Sequence, residues 1–202
     1  MLLSLSYFPP IEYFALLAKY SVVYVEACEN YQKQSWRNRC RILTANGAEN
    51  LNVPVVHENG TFQLPIKHIR VDYSTPWVPR TERAIESAYS SSPFFIHYRD
   101  ALFSILDSHP RTLWELDMRI IAFFCERIGI APQILETTEY VPPCAEDYRS
   151  ALHPKRPNTI MQDLGLDRPY WQVFREKFGF VAGLSIMDLL FNEGPESLCW
   201  LR

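Results

Sequence analysis

Residues 22–42 read Val22-Val23-Tyr24-Val25-Glu26-Ala27-Cys28-Glu29-Asn30-Tyr31-Gln32-Lys33-Gln34-Ser35-Trp36-Arg37-Asn38-Arg39-Cys40-Arg41-Ile42. The first four are β-branched or aromatic and too few for a helix, so they predict a buried strand, with Glu26 and Glu29 where it runs out. Further on, Arg37, Arg39 and Arg41 alternate with Asn38, Cys40 and Ile42. In a strand that alternation sets three guanidinium groups on one face, about 6.6 Å apart. Planar forks of donors suit carboxylate or phosphate, so the row is a candidate anion site. The plainer reading is a charged outer face balanced by neighbouring Glu side chains.

Upstream, Leu2 to Ser6 predicts a first strand, and Pro9-Pro10 opens a helix running to about Tyr20. This β-α-β order places Tyr7-Phe8 and Glu26 to Asn30 on one edge, and ligands of such units bind beyond the carboxyl ends of the strands. Downstream, Asn46-Gly47 and Asn59-Gly60 are hairpin centres, which predicts a three-stranded antiparallel meander over residues 39–43, 51–56 and 62–69.

The pattern turns helical after Asp72. One helix runs from about Thr75 to Tyr89. A second starts at Pro93 with Ser92 as its cap, and a third runs from the Thr112/Glu115 capping box to Gly129. A short amphipathic helix follows Pro169, and Ser185 with Asp188 has capping-box spacing for a last helix over Ile186 to Phe191. Between these, residues 131–169 hold six prolines and read as a long ordered loop or a lid. Within it, His153-Pro154-Lys155-Arg156-Pro157 either reaches an anion or forms a solvated tip. The expectation is one α+β domain over 1–202. Its mixed β-sheet comes mainly from the N-terminal third and packs against a helical C-terminal half.

A chain of 202 residues, 48% hydrophobic and 14% aromatic, can bury a sizeable core. Its formal charge of -3 is too mild for a general nucleic-acid or membrane-surface binder, so the arginines act locally. Cysteines 28, 40, 125, 144 and 199 form no C-x-x-C pair, which fits reduced thiols and a cytoplasmic protein. There is no basic n-region, and no apolar run approaches the ~20 residues that span a bilayer. Neither a phosphate-binding glycine loop nor a zinc motif occurs, so no metal and no cofactor is expected.

Cys28 sits between two Glu residues, and carboxylate neighbours work against a thiolate. His57, His68, His97, His109 and His153 are scattered without metal-ligand spacing. That leaves Glu26 and Glu29 as candidate catalytic bases, or else as partners of Lys33 or an arginine. Tyr7, Tyr13, Asn30, Lys33, Arg37, Asn38 and Arg39 are the candidate substrate-binding residues. Such a cleft suits a small ligand carrying both an amine and a phosphate or carboxylate. Tyr7, Tyr13, Tyr31 and Trp36 either form a stacking wall for a ring or belong to the core.

Several stretches are similar to the WbqC-like protein family: Tyr7-Phe8-Pro9-Pro10, Tyr13-Phe14, Glu29 through Arg39, Val53-Pro54-Val55, and Leu184 through Gly194. The resemblance covers roughly residues 3–100 and 170–194. Many members have a His-Gln-Pro-type stretch where this chain has Leu5-Ser6, and an Asp pair where it has Ala27-Cys28. A catalytic role of that pair would fall here to Glu26 or Glu29. The chain also lacks a Gly- and Tyr-rich stretch near 131–169, which marks it as a short branch. The resemblance implies a role in bacterial surface-polysaccharide (O-antigen) biosynthesis. It also implies an aminoacyl or acyl transferase joining an amino acid such as glycine to an amino sugar, with a nucleotide sugar or acyl donor as partner. Two rivals remain open: a non-catalytic binding or scaffolding protein for an anionic ligand, and RNA binding through Lys33, Arg37, Arg39 and Arg41. The overall negative charge disfavours RNA.

Overall fold

The computed structural model describes residues 1–57 and 61–202. Strand β1 (Leu2–Ser4) runs parallel to β2 (Val22–Glu26), with Leu3 opposite Val25 and Ser4 opposite Glu26. Helix α1 (Ile11–Lys19) makes the crossover, and every residue from Ile11 to Leu17 is buried. The aromatic rings of Phe8 and Phe14 meet Phe124 edge-on at 6.2 and 5.9 Å. Each fully buried ring of this kind contributes roughly 1.5–3 kcal/mol relative to exposure.

The arginine strand is β3 (Arg39–Thr44), which pairs antiparallel with β4 (Gly47–Asn52). A tight turn falls where Asn46-Gly47 predicts a hairpin, one residue earlier than expected: Ala45 and Asn46 are the turn residues, and Gly47 opens β4 opposite Thr44. Gly47 adopts φ 112°, and the Asn46 N–H donates to Thr44 Oγ1 at 3.1 Å. Arg37 is not in the strand: residues Trp36–Asn38 form a 3-10 turn capped by Ser35. The third meander strand is also absent, since Thr61–Gln63 and Ile66–His68 are 3-10 turns and Val55 meets Val71 in an isolated bridge. Asn59-Gly60 lies outside the described residues.

From Trp77 onward the chain is mainly helical: α2 (Trp77–Tyr89), α3 (Phe95–Asp107), α4 (Leu113–Ile128), α5 (Ile160–Asp163), α6 (Arg175–Phe178) and α7 (Ile186–Glu193). The α+β arrangement read from the sequence is therefore what the chain adopts, with parallel and antiparallel pairing in two separate ladders. Local signals hold at α4, where Thr112 Oγ1 accepts from the Glu115 N–H at 3.2 Å and Gly129 closes the helix at φ 82°. They fail at α3, whose cap position is Phe94 without a side-chain bond, and after Pro169, where the helix is the single turn α6.

A larger departure falls in the stretch expected to be a loop. Gln133–Glu136 forms strand β5, parallel to β2 on the side away from β1, with Val23 opposite Ile134. Four residues behind a proline carry too short a pattern to announce a strand. It forms because Gly129 ends α4 and the Gln133 N–H reaches the Ser21 carbonyl at 2.8 Å. The sheet order is thus β1-β2-β5. Among the described residues, no helix is long and apolar enough to cross a membrane.

Candidate functional site

The carboxyl ends of β1 and β2 meet at Ser4 and Glu26, and the site begins there. The Arg37 guanidinium grips Glu29 with two parallel bonds, Nε to Oε1 at 2.9 Å and Nη2 to Oε2 at 2.6 Å. Ser4 Oγ accepts from Arg37 Nη2 at 2.8 Å and donates to Glu29 Oε2 at 3.3 Å. Both charged side chains are largely buried, 6% and 7% exposed. A planar fork on a carboxylate fixes both partners in orientation as well as in charge.

Glu26 anchors the chain that follows β5. It is fully buried and takes four donors: Cys28 N–H at 2.9 Å, Thr137 Oγ1 at 2.6 Å, Val141 N–H at 2.9 Å and Arg149 Nη1 at 3.1 Å. A carboxylate has about four lone-pair positions, so Glu26 has none left for a substrate proton. Its catalytic assignment from sequence is corrected by this geometry: Glu26 is a joint between β2 and residues 137–149. Arg149 in turn holds Asp147 through Nε and Nη2. Burial pushes the Asp147 carboxyl up, but the bonds and charge of Arg149 outweigh it and hold the group below its usual range.

These anchors wrap residues 140–156 over the ends of β1 and β2 and enclose an open cavity of about 500 Å3. One wall carries Glu29, Gln32 and Arg37, and the other Arg149, His153 and Arg156. Burial, and then the cations Arg156, Lys155 and Arg37, lower the His153 pKa and favour the neutral ring. The Lys155 N–H donates to its Nδ1 at 3.2 Å, which leaves the proton on Nε2. Arg37 and Arg149 are already matched by carboxylates. Arg156 is exposed and has no carboxylate partner among the described residues, so its charge is available to a ligand.

The other residues singled out in the sequence disperse. Tyr7 and Tyr13 are 0% and 1% exposed, in the core and not on the cavity wall. The Tyr7 N–H bonds the distant Trp36 carbonyl at 2.8 Å, and its ring packs edge-on against Phe8 at 4.6 Å. Asn30 is exposed and bridges Pro65 by its backbone, and Lys33 is exposed. Asn38 Nδ2 donates to the Val53 carbonyl at 2.9 Å and Arg39 Nε to Asn52 Oδ1 at 3.0 Å, both across the hairpin side of the chain. The three-arginine row is therefore divided: Arg37 enters the cavity, Arg39 stays on β3, and Arg41 reaches a neighbouring recess. Sequence reasoning missed Arg149 and Asp147, which sit in no motif; the charged run at 153–157 was the signal for Arg156.

All five cysteines are free, and the described residues contain no group of His, Cys, Asp and Glu placed to hold a metal ion. The sequence pattern of the WbqC-like protein family matches residues 6–152, a span that takes in both walls of the cavity as far as Arg149. The chain is also 28% identical to uncharacterized protein Rv1507c of Mycobacterium tuberculosis, over 98% of its own length and 94% of that protein's. No solved structure matches.

Proposed function

The chain belongs to the WbqC-like protein family, and on that premise we propose that it is a cytoplasmic transferase of surface-polysaccharide synthesis. The cavity at the strand ends holds an anionic donor, a nucleotide sugar or an acyl donor, and the reaction joins an amino acid such as glycine to an amino sugar. The observation that carries this reading is the Arg156 guanidinium, without a carboxylate partner among the described residues, on a cavity of about 500 Å3 that Arg37 and Arg149 also line. An unpaired planar fork beside two neutralised ones suits a phosphate or carboxylate. Glu29 accepts three bonds, from Arg37 twice and from Ser4, which leaves one position to meet a ligand's amine.

One observation favours the rival reading of a non-catalytic binder. Glu26 and Glu29 are each held by an arginine, so neither is a free base. A thermal-shift screen against nucleotide sugars, acyl and aminoacyl donors and short RNA separates ligand classes, since a ligand of the folded state raises the melting temperature. Mass spectrometry of the reaction mixture then decides between enzyme and binder. Replacing Arg156 by Ala should weaken the best anionic ligand roughly tenfold to hundredfold, the cost of one charge-assisted bond. Unchanged affinity would remove the basis of the assignment.

A further inference from the structure

Of the arginine row, Glu29 matches Arg37 and Asn52 holds Arg39, which leaves Arg41. Its backbone is fixed, since β3 sets it opposite Asn50 and its carbonyl accepts from the Ser185 N–H at 2.8 Å. Its exposed guanidinium has neither a carboxylate nor a hydrogen-bond partner among the described residues. Arg41 lines a second cavity of about 210 Å3, which shares His153 and Arg156 with the first. Arg156 has no carboxylate partner among the described residues either, so two unmatched guanidinium groups line one recess.

A lone unpaired arginine is ordinary on a solvated surface. Two on one concave wall repel each other and focus a positive field into the space they border, which an anion relieves. His153, on the wall common to both cavities, reports that field: after burial, the charges of Arg156, Lys155 and Arg37 lower its pKa. The one acid on the wall of the recess is Glu12, 8% exposed. Burial pushes its carboxyl up, against its own backbone N–H and Asn158, and so weakens the opposing charge. Two unmatched cations call for a ligand of matching charge. A carboxylate supplies one negative charge, whereas a phosphate monoester carries about two and offers three acceptor oxygens to the planar forks.

We propose that this second cavity is a phosphate subsite, in which Arg41 and Arg156 together hold a phosphate or diphosphate group while the larger cavity takes the rest of the same ligand. The proposal rests on the anionic-donor reading above and narrows it. A phosphate-bearing donor satisfies both guanidinium groups, and a plain carboxylate leaves one unmatched.

Calorimetric titration of the intact protein with inorganic pyrophosphate and with acetate tests it. Pyrophosphate should bind the wild type roughly tenfold or more tightly than acetate. Arg41→Ala should weaken pyrophosphate roughly tenfold to hundredfold, as should Arg156→Ala. Neither should lower the melting temperature, because neither side chain has a partner to lose among the described residues. Arg39→Ala removes the same charge from the same strand but outside both cavities, and should leave the affinity unaltered. In the pyrophosphate complex the His153 ring, followed by NMR, should titrate at higher pH than in the free protein. An equal loss in Arg39→Ala, no loss in Arg41→Ala, or no binding of pyrophosphate overturns the subsite. If Arg156→Ala alone loses affinity, the anion sits in the larger cavity and the donor reading stands without this subsite. If no nucleotide sugar or acyl donor binds the wild type, the donor reading itself falls, and the subsite with it.

Discussion

Asp188 shows how a single side chain can be legible in position and illegible in role. Its spacing from Ser185 matches a capping box, yet only Ser185 caps, accepting from the Met187 N–H at 3.3 Å. Asp188 instead lies 1% exposed, with Oδ2 taking the Tyr170 hydroxyl and, at 2.8 Å, Gln172 Nε2. Burial pushes its carboxyl up to about 6, against those hydrogen bonds. Unfolded, the group ionises near its ordinary 3.8, so folding takes up a proton between the two values. Its contribution is complete below 3.8 and is lost as pH rises through 6, roughly 3 kcal/mol in all. Asp188→Asn, which keeps an oxygen acceptor for both donors, should flatten that part of the stability curve. Asp117 and Glu12 are also raised by burial and slope the same way. The check is therefore the difference between variant and wild type in urea unfolding at pH 4 and pH 7. Parallel curves would mean that Asp188 does not titrate there.

Among the elements, those set by near neighbours were readable in advance. Helices α4 and α7 carry a capping hydroxyl at their start, α1 and α2 a proline at theirs, and the β3–β4 hairpin its Asn46-Gly47 pair. Strand β5 carries none, because its pairing partner lies more than a hundred residues away. The end of α7 combines both levels. Gly194 adopts φ 55°, legible as a helix stop, but a Cβ there would come within 2.5 Å of the Phe94 ring, which only packing reveals. Gly194→Ala should therefore cost more than the ~1 kcal/mol of an ordinary positive-φ substitution. Chemical denaturation measures this, and a loss at or below that value would mean the Phe94 ring moves aside freely.

At the scale of the whole molecule, one carboxylate joins the two parts of the cavity. Glu26 ties the end of β2 to Thr137, Val141 and Arg149, contacts spanning 111 to 123 residues of chain. Glu26→Ala should loosen residues 137–156 as a unit: hydrogen exchange at the Val141 amide quickens while that of α4 is unchanged, and nucleotide-sugar affinity falls without loss of a ligand contact. Unaltered exchange at Val141 would show that this joint does not hold the wall. The sequence by itself determined the β-α-β start, the hairpin that carries Arg39 and Arg41, and the long helices. These follow from periodicity, caps and turns, which are settled among neighbours a few residues apart. Only the tertiary structure decided that β5 completes the sheet, that Tyr7 and Tyr13 face inward, that Glu26 is saturated, and that Arg149 and Arg156 complete a cavity with Arg37. Those outcomes depend on which distant donors reach a buried carboxylate first, and local pattern holds no record of that competition.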